Sequence, residues 1–261
     1  MSESIITLTT DFGTNDNYAG IVKGIILSIC RRADIVDITH SVPPFDIAAG
    51  RYLMETSYRA FPPGTIHVGV VDPGVGTKRK GFVIETDKYF FVGPDNGLFS
   101  FLGRREISKI IEIRNSKYIL PNASDTFHAR DVFAPVAAYL GLGVIPEEFG
   151  PALDDIIRIK PPGYRKTKQE IAGSIIYVDH FGNLVSSIKA ERIDAGGTVF
   201  LNGIKIGPIW KTFGAVKPGR PVAYINSFGY LEIAVNGGSA REHFRIEKPE
   251  SAQILIACDK I

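Results

Sequence analysis

Through residues 1–160 the apolar positions alternate between two spacings. Short β-branched runs at residues 5–10 (IITLTT) and 34–39 (DIVDIT) read as strands, and a third follows at 65–71 (TIHVGVV). Between the first two, residues 18–32 place Ile21, Val22, Ile25, Ile26 and Ile29 on one helical face. Residues 46–61 repeat that spacing with Ile47, Ala48, Tyr52, Leu53 and Ala60, until Pro62-Pro63-Gly64 stops it. Strand, helix, strand, helix, strand predicts a parallel sheet covered by helices, with right-handed crossovers. Residues 81–86 and 89–93, joined by Asp87-Lys88, predict a hairpin added to the sheet. Residues 130–140 predict a further amphipathic helix.

The pattern changes after Pro161-Pro162-Gly163. Residues 161–169 are polar and proline-punctuated, as in a linker. Beyond them come short strand-like runs at 170–178, 198–201, 204–206, 222–225, 230–235 and 253–257, with Asn202-Gly203 as a two-residue hairpin signal. No helical period lasts beyond about two turns. The expectation is an α/β domain over 1–160, a linker over 161–169, and a small antiparallel β-barrel or sandwich over 170–261.

Composition narrows the function classes. Among 261 residues, 44% are hydrophobic and 22% charged, an ordinary globular balance rather than a disordered one. The net charge of +2 gives no electrostatic case for nucleic acid, and the densest basic run is only Lys78-Arg79-Lys80. Cys30 and Cys258 fall in apolar segments and point to a reducing cytoplasm rather than a disulfide framework. The run at 5–10 is too short for a signal peptide, and no apolar run approaches the ~20 residues that span a bilayer. The expectation is a soluble cytoplasmic protein with no membrane partner.

Candidate chemistry lies where open α/β sheets bind ligands, beyond the carboxyl ends of the strands. Asp11-Phe12-Gly13-Thr14-Asn15-Asp16 follows the first strand, and a carboxylate there can accept both hydroxyls of a ribose. The alternative is that Asp11 or Asp16 caps the next helix. Asp72-Pro73-Gly74-Val75-Gly76-Thr77 follows the third strand but lacks the ending of a P-loop and the third glycine of a dinucleotide fingerprint. With Arg79 across a tight turn and His128 ahead of a helix, Asp72 completes a set able to hold and polarise one water. The alternative for His128 is a capping or hydrogen-bonded structural role. Farther on, Asn183 has an amide suited to an adenine edge and Phe181 a ring able to stack on the base, against the ordinary turn chemistry of Phe-Gly-Asn.

Together, TLTTDFG (7–13), DITHSVPPFD (37–46), VDPGVGTKR (71–79), GPDNGL (93–98), TFHARD (126–131), DHFGN (179–183) and SFGYLEIAVN (227–236) resemble one family. It is that of the S-adenosyl-L-methionine hydroxide adenosyltransferases, related to enzymes that fluorinate or chlorinate the same substrate. The resemblance spans nearly the whole chain in order. It implies an N-terminal domain with a Rossmann-like, mostly parallel sheet and a C-terminal antiparallel β-barrel. It also implies homotrimers with sites between the N-terminal domain of one subunit and the C-terminal domain of the next, and no cofactor or metal. By motif, Asp72, Arg79 and His128 match the family's water-activating triad, and Asp11 the ribose carboxylate. Phe45 and Phe181 match aromatic positions around the nucleoside. Asn183 and the backbone near Val235 and Gly237 match adenine contacts. Asp179, Tyr224, Ser227 and Glu232 fall where the methionine ammonium and carboxylate would be held.

The resemblance also separates branches. The halogenating relatives carry a neutral residue where Asp72 stands, and serine or glycine in place of Ala129. The fluorinating branch has an insertion near Asp87-Lys88, and a basic residue in place of Phe228. All four differences point to hydrolysis. A sulfonium leaves as a neutral thioether, so the reaction needs no general acid, only a nucleophile held in line with C5′ in a weakly solvating pocket. Whether Asp72 or His128 takes the proton stays open, although the histidine has the intrinsic pKa nearer neutrality. Two rivals remain: a non-catalytic S-adenosylmethionine or adenosine binder, and a metallohydrolase using Asp11, Asp72, His128 and Asp179. Neither His-x-x-x-His nor paired cysteines support the latter.

Overall fold

A computed structural model describes residues 4–193 and 196–258. The chain divides into two units, Met1–Ile159 and Lys160–Ile261.

In the first unit β1 (Ile5–Thr10), β2 (Asp34–Thr39), β3 (Ile66–Val70), β4 (Gly81–Thr86), β5 (Phe90–Pro94) and β6 (Ile107–Glu112) form one sheet in the order β2-β1-β3-β5-β4-β6. Strands β2, β1, β3 and β5 run parallel, while β4 is antiparallel to both β5 and β6. The predicted hairpin therefore joins through its second arm, which lies beside β3. Strand β3 is buried along its whole length, as expected of a central parallel strand covered on both faces.

Helix α1 (Tyr18–Ile29) follows β1 and ends at Cys30, earlier than its apolar spacing implied. Helix α2 (Ile47–Ser57) is capped by Asp46, whose Oδ1 accepts the Ala49 N–H at 3.0 Å. The expected helix over 130–140 is instead a π-helical turn, Ala129–Phe133, leading into α3 (Ala134–Gly141). Pro135 has no N–H to offer the Asp131 carbonyl, which accepts the Leu120 N–H at 2.8 Å. Nor is α3 amphipathic: Ala134, Pro135, Val136, Ala137, Ala138 and Leu140 are all buried.

The second unit contains β7 (Arg165–Lys166), β8 (Glu170–Val178), β9 (Leu184–Lys189), β10 (Gly197–Leu201), β11 (Ile204–Trp210), β12 (Pro221–Ile225), β13 (Tyr230–Val235) and β14 (Gln253–Cys258). The order β14-β10-β11-β12-β13-β9-β8, with β14 also pairing β8, closes a seven-stranded barrel, and β7 adds to β8 outside it. Pairing is antiparallel except between β11 and β12, which run parallel. Asn202 and Gly203 turn at φ 48° and 79°, the left-handed pair a tight hairpin needs. Inward residues such as Ile175, Leu184, Val199, Leu231 and Ile254 fill the barrel. Among the described residues no helix is long and apolar enough to cross a membrane.

Candidate active site

Beyond the carboxyl ends of β1 and β3 the first unit opens a cleft of about 330 Å³, lined in part by Asp11, Tyr18, Phe45, Asp72, Phe127 and His128. The turn from Asp72 to Arg79 is tied by Val75 N–H to the Asp72 carbonyl (3.3 Å) and by the Thr77 hydroxyl to the Gly74 carbonyl (2.7 Å). That turn brings Arg79 back onto Asp72: Nε lies 3.0 and 2.9 Å from the two carboxylate oxygens, and Nη2 lies 2.5 Å from Oδ2. The same Nη2 is 2.8 Å from Nδ1 of His128. Both members of the ion pair are largely covered, at 5% exposure for the Asp72 side chain and 9% for Arg79. The ring of Phe133, from the π-turn, lies 5.3 Å from the guanidinium carbon. Gly76 takes φ +74°, and a Cβ there would stand 2.3 Å from the Asp125 carbonyl oxygen, so the two loops that deliver the trio are in close contact.

A guanidinium has donors only, so Nδ1 of His128 must present its lone pair, and a neutral ring then carries its proton on Nε2. Burial, and next the Arg79 charge, hold the His128 pKa below its ordinary value, with Asp72 opposing. The imidazole therefore enters the site neutral, its basic nitrogen already occupied.

Asp11 does not cap α1. The N-cap residue is Asn17, without a side-chain capping bond, and Asp11 Oδ2 instead accepts the backbone N–H of Phe45 at 2.9 Å. Burial raises the Asp11 pKa, the Phe45 N–H opposes this, and the Asp72 charge adds to it. Phe45 is a bulky residue at φ 64°, an uncommon backbone state for a non-glycine, and its side chain is 69% exposed. The Asp11 bond and the Asp46 cap hold it from either side.

The remaining sequence candidates lie on the second unit. At the β8–β9 turn Asp179 Oδ1 accepts the N–H groups of Phe181 (2.9 Å) and Asn183 (2.8 Å), while Oδ2 accepts Asn183 Nδ2 at 2.9 Å. One hydrogen of the Asn183 amide is thus already committed. Phe181 is 73% exposed, which leaves a ring face open to stacking. Across β12 and β13, Tyr224 and Glu232 are register partners: the phenol donates to Glu232 Oε1, and Asn226 Nδ2 donates to Oε2 at 2.8 Å. Burial raises the Glu232 pKa, Tyr224 and Asn226 oppose it, and the Asp179 charge adds to the rise. Ser227 is exposed on the following turn, Val235 is buried, and Gly237 turns at φ 72°. Sequence reasoning passed over Asn226, although it stands directly before the Ser227-Phe228-Gly229 turn. Phe133 also escaped notice, because nothing in the order of residues announces a π-turn.

Among the described residues no group of three or more His, Cys, Asp or Glu is arranged to hold a metal ion. A mostly parallel sheet bearing carboxylates at two strand ends, and a closed barrel carrying a second polar cluster, make up a two-unit enzyme with groups suited to a small polar substrate. The chain belongs to the S-adenosylmethionine hydroxide adenosyltransferase family: residues 6–150 match its N-terminal domain and 173–253 its C-terminal domain. It is similar to the (R)-S-adenosyl-L-methionine hydrolase of Thermus thermophilus, 36% identical over 94% of this chain and 97% of that one. A fluorinase from Actinopolyspora mzabensis is 27% identical over 97% of each. The crystal structure of an uncharacterized conserved protein from Thermotoga maritima superposes with a TM-score of 0.86 at 34% identity, over 97% of this chain and 99% of that chain.

Proposed function

We propose that the chain hydrolyses S-adenosyl-L-methionine to adenosine and methionine, with Asp72, Arg79 and His128 holding the attacking water. In this reaction the oxygen–C5′ bond forms as the C5′–sulfur bond breaks. The electron pair goes to sulfur, methionine leaves as a neutral thioether, and water gives up a proton. The observation that carries the assignment of roles is the two-sided grip of Arg79 on Asp72 and His128 at the edge of the cleft. With its Nδ1 turned to Arg79, His128 offers an N–H to the oxygen, and Asp72 is the group left to accept the proton.

In the same proposal Asp11 accepts the ribose hydroxyls, Phe45 and Phe181 flank the nucleoside, and Asn183 with the backbone near Val235 and Gly237 reads adenine. Asp179, Tyr224, Ser227 and Glu232 take the methionine end. These residues fall on both units, which fits a homotrimer whose sites are shared between subunits. Two unpaired cysteines, Cys30 and Cys258, fit a reducing cytoplasm.

The test is incubation of purified protein with S-adenosylmethionine, with and without chloride or fluoride, followed by chromatography. Adenosine and methionine in equal amounts are expected in every case. A 5′-halogenated nucleoside as the main product would move the chain to the halogenating branch. Binding of substrate without turnover would make it a sensor.

A further inference from the structure

His40 lies at the end of β2, away from the groups that meet the nucleophile, and it is buried. Its Nδ1 is 2.8 Å from the Thr10 hydroxyl, and its Nε2 is 3.0 Å from Asp37 Oδ1, off the line of a good hydrogen bond. Asp37 is in turn bound to Lys23 at 2.6 Å, and its pKa is lowered: burial raises it, but Lys23 and His40 outweigh that. An ionised carboxylate only accepts, so the His40 proton belongs on Nε2 and its Nδ1 accepts from Thr10. The Thr10 oxygen then accepts the Phe12 N–H at 3.3 Å, so one hydroxyl donates to the His40 ring and accepts from the backbone next to Asp11.

The backbone repeats the connection. Gly13 N–H donates to the His40 carbonyl at 2.7 Å, and Val42 N–H donates to the Thr10 carbonyl at 3.3 Å. Asp11 sits inside this frame, between Thr10 and Phe12, with its carboxylate held by Phe45 farther along the His40 loop. We propose that His40 is the positioning residue that aims the Asp11 carboxylate, acting through the Thr10 hydroxyl. It touches no substrate itself. The inference rests on the assignment of Asp11 to the ribose hydroxyls and adds the residue on which that recognition depends.

The experiment compares adenosine with 2′,3′-dideoxyadenosine as competitive inhibitors of the full-length enzyme, because the ratio of their inhibition constants isolates hydroxyl recognition. In the wild type adenosine should bind about tenfold or more tightly than the dideoxy compound, a hydrogen bond to a charged group being strong. His40→Leu removes the acceptor at similar bulk. It should bring the ratio close to one by weakening adenosine alone. His40→Asn, whose amide oxygen falls near the place of Nδ1, should restore most of the ratio. Thr10→Val cuts the same bond from the other end, so it gives the answer even if the leucine variant does not fold.

Equal weakening of both inhibitors would reduce His40 to a structural role and overturn the proposal. So would a wild-type ratio in His40→Leu and Thr10→Val while Asp11→Asn collapses it. An unchanged ratio in Asp11→Asn would instead remove the ribose assignment itself, and this inference with it.

Discussion

Nη2 of Arg79 lies 2.8 Å from Nδ1 of His128, and this contact decides which ring nitrogen carries the proton. A base with its lone pair turned to a guanidinium is a poor base, whereas its remaining N–H is well placed to donate. The His128→Gln variant retains an N–H near the place of Nε2, so it should keep more activity than His128→Ala, for which a loss of about 10²-fold in kcat is expected. Protonation would set a second N–H against Arg79. Burial and the Arg79 charge lower the His128 pKa, so in the wild type the acid limb of the rate should fall below about pH 6.5, and in His128→Gln it should vanish. Initial rates from about pH 5 to about pH 8 check both statements.

Asp72 and Arg79 cancel each other's charge beside the cleft, with the carboxylate oxygens 2.5 to 3.0 Å from the guanidinium nitrogens. Asp72→Asn removes the proposed proton acceptor and leaves the guanidinium uncompensated. Adenosine formation should fall by about 10²–10⁴-fold. The freed cation should also admit an anion, giving traces of 5′-chloro-5′-deoxyadenosine in concentrated chloride. Product analysis of wild type and variant reads both effects. Undiminished adenosine release by the variant would move proton handling away from Asp72.

The proposed nucleoside contacts are divided between residues before and after Lys160. A fragment of residues 1–160 should therefore be inactive, and the full-length protein should sediment as a trimer. Turnover by the fragment at a rate near that of the intact enzyme would show that the first unit carries a complete site.

His67 bears on acid stability rather than catalysis. Its Nδ1 meets the Thr7 hydroxyl at 2.8 Å, its ring stacks on Phe91, and burial lowers its pKa from 6.5 to about 4. As pH falls through 6.5 the unfolded chain takes up a proton that the folded chain refuses until about pH 4. Stability is therefore lost across that window, by roughly 3 kcal/mol. Urea midpoints at neutral pH and near pH 4.5 should differ more for wild type than for His67→Phe. In that variant the ring still fills the site, but the proton uptake is gone.

How far the chain could be read beforehand depended on whether burial left a mark on the pattern. Strands β8 and β13 were legible to the residue because their apolar runs are bounded by turn residues. Strand β9 was not, since Ser186 and Ser187 stand in its middle, both buried; Ser187 is satisfied by the Pro162 carbonyl at 2.7 Å. Strand β6 hid for a related reason: Ile110, Ile111 and Glu112 are buried in succession, which destroys alternation. At the site, residue types and order were enough to nominate Asp11, Asp72, Arg79 and His128. Direction was not legible. The turning of Asp11 toward Phe45, the committed amide of Asn183 and the occupied Nδ1 of His128 all depend on contacts between segments far apart in sequence.

Gly76 packs so closely on the Asp125 carbonyl that no side chain fits between them. For anyone recombining this scaffold with a relative, the two loops are a single cassette. Grafting the Asp72–Arg79 turn alone, with a larger residue at position 76, would push the neighbouring loop outward and take His128 with it.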